Sequence, residues 1–145
     1  MKKLHFTATI KAPKVEVWNT MLEDKTYREW TSAFHEGSHY EGSWEEGSEI
    51  RFLDPDGNGM VSVIAENRPY EFISVKHVGI INDGVEDTES EEAKKWAPAF
   101  ESYSFVEKEG KTTVSVEMDI EDEYEDMFNE MWPNALRKLK DLCEK

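Results

Sequence analysis

The stretch Tyr124–Cys143, YEDMFNEMWPNALRKLKDLC, decides how the rest of the chain must fold. Its apolar residues are Tyr124, Met127, Phe128, Met131, Trp132, Ala135, Leu136, Leu139, Leu142 and Cys143. That i, i+3, i+4, i+7 series predicts one amphipathic helix with a broad aromatic and methionine-rich face. The charges agree with the direction of a helix. Asp122, Glu123, Glu125 and Asp126 crowd its start, and Arg137, Lys138, Lys140 and Lys145 gather toward its end, as the macrodipole favours. Pro133 disagrees. It lacks the N–H that would reach the Asn129 carbonyl, at an interior cost of about 3 kcal/mol. Two outcomes follow: a helix disturbed at Asn129, or one helix ending at Trp132 and a second with Pro133 at its first position.

Such a face needs a partner surface, and composition restricts what kind. A length of 145 residues suits a single domain, 1–145, with a core of its own. The 17 Lys and Arg against 32 Asp and Glu give a net charge of −15, which lacks the basic footprint that nucleic acid and anionic membrane surfaces require. Five Trp, five Tyr and seven Phe make the chain too aromatic for a disordered acidic segment. The single cysteine, Cys143, falls on the apolar helical face and reads as a buried thiol with no internal disulfide partner. No apolar run approaches the roughly 20 residues of a membrane span, and the N-terminus lacks a signal-peptide core, so the expected location is cytoplasmic.

The partner surface comes from the preceding residues. Leu4, Phe6, Ala8 and Ile10 alternate with polar residues and predict a first strand. Pro13 then suits a helix start carrying Val15, Val17, Trp18, Met21 and Leu22, and Asp24 could cap a second short helix with Tyr27 and Trp30. From His39 onward the signals are β. Strands are expected at His39–Trp44, around Ile50 and Phe52, at Met60–Glu66 and at Tyr70–Val78, with a turn at Asp54–Gly59. Residues 79–97 read as a long connection with one helical turn capped by Thr88 or Ser90, and connections of that length are commonly functional. A last hairpin, Phe100–Glu107 and Thr112–Ile120, turns at Glu109-Gly110-Lys111. The fold class is α+β: a curved antiparallel sheet of about six or seven strands around a long C-terminal helix, with two short helices after the first strand.

This order, and several local motifs, resemble the SRPBCC (START-like) superfamily with its helix-grip fold, in the branch related to activators of the heat-shock-protein-90 ATPase. The residues carrying the resemblance are Ile10-Lys11-Ala12-Pro13 with Val17-Trp18, Trp30, and Gly42-Ser43-Trp44-Glu45-Glu46-Gly47-Ser48-Glu49-Ile50. Glu101-Ser102-Tyr103-Ser104-Phe105 and Trp132-Pro133-Asn134-Ala135-Leu136 with Leu139-Lys140 complete it, so it spans nearly the whole chain. The resemblance implies a hydrophobic cavity between sheet and helix that takes lipids, polyketides or other apolar small molecules. It also implies a second partner, a chaperone, and more remotely a cyclase or aromatase activity.

Trp18, Trp30, Phe34, Trp44, Phe52, Tyr103, Tyr124, Phe128, Met131 and Trp132 are the candidate ligand-binding residues, because large rings leave irregular voids and methionine adapts to varied ligands. Arg51, Lys76 and Glu101 are candidate polar groups beside them. Other motifs favour plainer readings. Asp54, Asp56, Asn58 and Gly59 open like a calcium loop, but Ala65 stands where the bidentate acid belongs, so a hairpin is preferred. His35 and His39 have helical metal spacing but enclose Gly37 and lack a third ligand. Glu121–Asp126 reads as a solvated capping run. No nucleophile elbow, phosphate loop or other catalytic constellation is present, and no metal or cofactor is expected. The leading expectation is a binding protein for an apolar or amphipathic small molecule; the alternative is a chaperone-regulating interaction module.

Overall fold

The computed structural model describes residues 2–145. Strand β1 (Lys2–Ile10) leads into helices α1 (Lys14–Leu22) and α2 (Asp24–Trp30), followed by a 3-10 turn at Thr31–Ala33. Strands β2 (His39–Gly42), β3 (Glu49–Leu53), β4 (Gly59–Arg68), β5 (Phe72–Asn82) and β6 (Val85–Asp87) follow, then helix α3 (Glu91–Trp96). Strands β7 (Ala99–Lys108) and β8 (Lys111–Ile120) precede helix α4 (Glu125–Cys143). The strands form one antiparallel sheet in the order β1-β8-β7-β5-β4-β3-β2, with β6 paired to the far end of β5. The fold is therefore α+β with a long helix held by a curved sheet.

Tight turns set this order. Asp83 (φ 50°) with Gly84 (φ 79°), and Glu109 (φ 55°) with Gly110 (φ 77°), each place two consecutive residues in the left-handed region. That backbone matches the right-handed twist of a two-residue hairpin. The first of these turns lengthens β5 and creates β6 inside the stretch that reads in sequence as irregular. At α3, Ser90 is the cap, with its Oγ accepting from the Ala93 amide at 3.1 Å. Asp24 does not cap α2; it is the first helical residue, and its carboxylate takes the Arg28 guanidinium one turn on, at 3.1 Å.

The core forms where α4 lies across the sheet. Trp132, Ala135, Leu136, Leu139 and Cys143 of α4 are buried against Leu4 and Ile10 of β1, Val114, Val116, Met118 and Ile120 of β8, and Ile73 and Val75 of β5. Helix α1 closes one end with Val17, Trp18, Met21 and Leu22. Met127, counted with the apolar face in sequence, is 39 % exposed.

Helix α4 is unbroken from Glu125 to Cys143, so the two-helix reading of Pro133 is wrong. Pro133 and Asn129 both lie on the exposed side. There water can serve the Asn129 carbonyl that loses its helical donor, which lowers the cost of the interior proline. The last turns of α4 reach the open edge of the sheet. Lys140 Nζ donates to the Thr9 carbonyl at 3.2 Å, and the Lys11 amide donates to Glu144 Oε2 at 2.9 Å. That amide contact holds the Glu144 carboxyl below the usual carboxylate range.

Candidate ligand-binding cavity

Toward the N-terminal end of α4 the core opens into a cavity of about 280 Å³. Six of the residues nominated from sequence line it: Trp30, Phe34, Phe52, Tyr103, Phe128 and Trp132. The spacing of α4 places Phe128 and Trp132 on one face, four residues apart. Trp30 ends α2 and is anchored by its indole N–H, which donates to the Met21 carbonyl at 3.0 Å. Trp132 is fixed from the other side, with Nε1 2.9 Å from Met118 Sδ. The rings meet edge-on or tilted: Phe34 and Trp132 at 4.9 Å and 72°, Trp30 and Trp132 at 6.0 Å and 38°. Rigid plates crossed in this way cannot interdigitate as aliphatic chains do, and the space between them remains.

The other four nominated residues lie outside the cavity. Trp18 packs at the opposite end of the core, edge-on to Phe105 at 5.2 Å and Tyr70 at 5.8 Å. Trp44 stands one layer behind Phe52 at 5.6 Å and donates its indole N–H to the Leu22 carbonyl at 3.0 Å. Tyr124 packs against Trp96 with ring centroids 4.7 Å apart and planes tilted by 46°, which ties α3 to the start of α4 at the cavity rim. Met131 is half-buried and is not part of the wall. Tyr27, Met60, His77, Trp96 and Phe100 do line the cavity, although none was nominated from sequence.

Of the three candidate polar groups, Glu101 faces the cavity, whereas Arg51 is turned to Glu86 at 2.8 Å and Lys76 is not in the wall. Glu101 belongs to a connected polar set. Its Oε2 accepts the Tyr103 hydroxyl, its Oε1 is 3.9 Å from His77 Nε2, and His77 Nδ1 is 2.7 Å from the fully buried Ser62 Oγ. Strand pairing builds this set: Ser62 sits opposite His77, and Glu101 opposite Val75 on the neighbouring strand. Ser62 and His77 share one hydrogen bond, whose donor is set by the His77 tautomer. Burial pushes the Tyr27 and Tyr103 phenols up from their ordinary pKa, and the nearby Glu101 charge pushes both farther. The cavity thus joins an aromatic chamber to one acidic, hydrogen-bonding wall.

The other motifs take their plainer forms. Asp54 Oδ1 accepts the amides of Asp56 (2.8 Å) and Asn58 (3.0 Å) within the β3–β4 hairpin. Gly59 is required there, since a Cβ would come 1.7 Å from the Phe52 carbonyl oxygen. His35 and His39 direct Nδ1 to the carbonyls of Glu36 (2.8 Å) and Gly37 (3.0 Å). Among the described residues, no three His, Cys, Asp or Glu side chains gather as metal ligands. Among them, too, no helix is long and apolar enough to cross a membrane.

The same architecture occurs in solved structures. The solution structure of the Aha1 dimer from Colwellia psychrerythraea is 18 % identical, with TM-score 0.75 over 99 % of this chain and 97 % of that one. Protein CV1439 from Chromobacterium violaceum is 16 % identical, with TM-score 0.71 over the same shares of the two chains, 99 % and 97 %. CalU16 from Micromonospora echinospora is 14 % identical, with TM-score 0.65 over 94 % of this chain and 73 % of its own. At these identities the likeness shows the fold alone. Among curated proteins, none matches this chain. Residues 11–144 match the profile of the family described as activator of Hsp90 ATPase homolog 1-like protein, and the chain belongs to that family.

Proposed function

We propose that this chain binds an apolar or amphipathic small molecule in the cavity between the sheet and α4. The observation that carries this reading is the chamber of about 280 Å³ walled by Trp30, Phe34, Phe52, Phe128 and Trp132. A void of that size beside rigid aromatic side chains forgoes packing contacts that a bound molecule would restore. Its volume is near the lower end of the roughly 300–1,000 Å³ of typical ligand pockets, which suits one or two rings better than a long acyl chain. Burial supplies affinity at about 25 cal/mol per Å² of apolar area, and the Glu101 wall orients the ligand. Native mass spectrometry of protein purified from its own host tests the reading. A retained small molecule, lost in a Phe128→Trp variant that fills the chamber, is the expected result. Protein that is ligand-free and unmoved by any apolar probe in solution would overturn it.

A second reading, regulation of a chaperone ATPase through the protein surface, is supported by the family description. A pull-down with heat-shock protein 90 followed by an ATPase assay separates the two. Stimulation that survives Phe128→Trp would assign the activity to the surface rather than the cavity.

A further inference from the structure

The cavity wall has an uneven charge inventory. It includes Asp54, Glu101 and Asp119, and among the described residues no Lys or Arg reaches it. The two rim acids are already engaged. Asp54 holds the hairpin amides, and Asp119 accepts the Phe100 amide at 2.9 Å while facing Lys3 at 3.7 Å. Glu101 differs. Its side chain is only 18 % exposed, and its Oε1 faces His77 Nε2 at 3.9 Å, too far for a hydrogen bond. The Tyr27 hydroxyl also lines the chamber without a hydrogen-bond partner among those residues. A carboxylate oxygen and a phenol that make no hydrogen bond to the described residues, on the wall of one void, define what should fill it.

We propose that the occupant is an amine: a cationic ammonium on a compact aromatic or apolar body, with its N–H groups directed to Glu101 Oε1 and the Tyr27 oxygen. This rests on the binding role proposed above and narrows its ligand class. An ammonium supplies the donors that both oxygens lack and neutralises the carboxylate where water is scarce. The surrounding rings attract the same charge. Tyr27 lies 6.3 Å from Phe52, and Phe52 lies 6.0 Å from His77, so aromatic faces border the polar wall. The net charge of −15 draws cations toward the protein and repels anions. A fatty-acid or other carboxylate ligand would meet Glu101 with no Lys or Arg in the wall to offset it.

Three probes of similar shape test this: 2-phenylethylamine, 2-phenylethanol and 3-phenylpropionate, titrated against the full chain and followed by the tryptophan indole N–H signals in NMR. Trp30 and Trp132 report on the chamber, and Trp18, at the far end of the core, reports on nonspecific change. The expected order is amine over alcohol by about tenfold or more, with the carboxylate weakest. Glu101→Gln keeps an acceptor for the Tyr103 hydroxyl and should bring the amine to within about threefold of the alcohol. Equal binding of all three, tighter binding of the carboxylate, or an amine advantage that survives Glu101→Gln overturns the amine inference while leaving a binding cavity in place. Failure of all three to move Trp30 or Trp132 overturns the binding role along with it. The comparison on the unaltered chain stands even if the variant does not fold.

Discussion

The two ends of the core under α4 share one sheet and one helix, yet only one of them opens into the aromatic cavity. At the C-terminal end, Leu136, Leu139 and Cys143 join Ile10, Val17, Met21 and Val114, all at most 4 % exposed. These are flexible or branched aliphatic side chains that interdigitate, and the one large ring, Trp18, is seated edge-on against Phe105. At the other end, Phe34 meets Trp30 and Trp132 edge-on, Trp30 and Trp132 are tilted, and Phe52 completes the wall around a void. Shapes that interlock make stability, and shapes that prop one another apart make a chamber.

Truncation should separate the ends most strongly. Leu139→Ala, at a fully buried position in the filled end, is expected to cost about 2–5 kcal/mol by urea denaturation while leaving binding of 2-phenylethylamine intact in folded protein. A cost under about 1 kcal/mol would mean the end is less tightly packed than its burial implies.

Alkaline titration probes the chamber end. Burial holds the Tyr27 and Tyr103 phenols protonated in the fold above the ordinary tyrosine value, while the unfolded chain ionises near pH 10. Stability attributable to them is complete below pH 10 and declines above it, by up to about 1.4 kcal/mol per pH unit for each phenol. Phenolate absorbance should therefore show these two tyrosines ionising together with unfolding; early, non-cooperative titration of all five would count against buried phenols.

A gentler contrast comes from Phe128→Ala. Phe128 is half-buried and already borders a void, so its loss should cost only about 1–2 kcal/mol, less than Leu139→Ala, and should let a larger amine bind. The smallest effect is expected where α4 ends. The Glu144 carboxyl is held below its ordinary value chiefly by the Lys11 amide, so its contribution is present at neutral pH and fades as pH falls below about 4.5. Glu144→Gln should weaken the pH dependence of thermal stability in that acid range alone; an unchanged acid limb would show that the contact is not maintained in solution.

Much of this contrast was legible in the chain. The period of α4, the hairpin turns and the alternation in β1 and β8 each carry a local signal, and they specify helix, strands and order. The aromatic content pointed to a chamber, and Phe128 and Trp132 follow from helical spacing alone. The polar wall was harder to read. The pairing of β4 and β5 slips between Val61 and Ser62, so Val61 meets Gly79 and Ser62 meets His77 with Val78 left over. A bulge of this kind breaks the period of two on which strand parity depends, and bulges often re-aim side chains beside sites. His77 is for that reason hard to place from sequence, and its neighbours Ser62 and Glu101 are 15 and 24 residues away. Tyr27 read only as a helix-face residue, since nothing local reveals that its hydroxyl lacks a partner. Trp18, by contrast, carried the same aromatic signal as Trp30, and only tertiary position separates them.

The hold of α4 on the end of β1 has a consequence for how the molecule behaves in company. A nine-residue edge strand offers unpaired amides and carbonyls to any passing strand, the usual first step of fibrillar self-association. Here the Thr9 carbonyl and the Lys11 amide are taken by Lys140 and Glu144, charged side chains that an incoming strand would have to displace. The same helix that walls the chamber thereby guards one margin of the sheet, so shortening its last turn would invite aggregation before it disturbed the chamber.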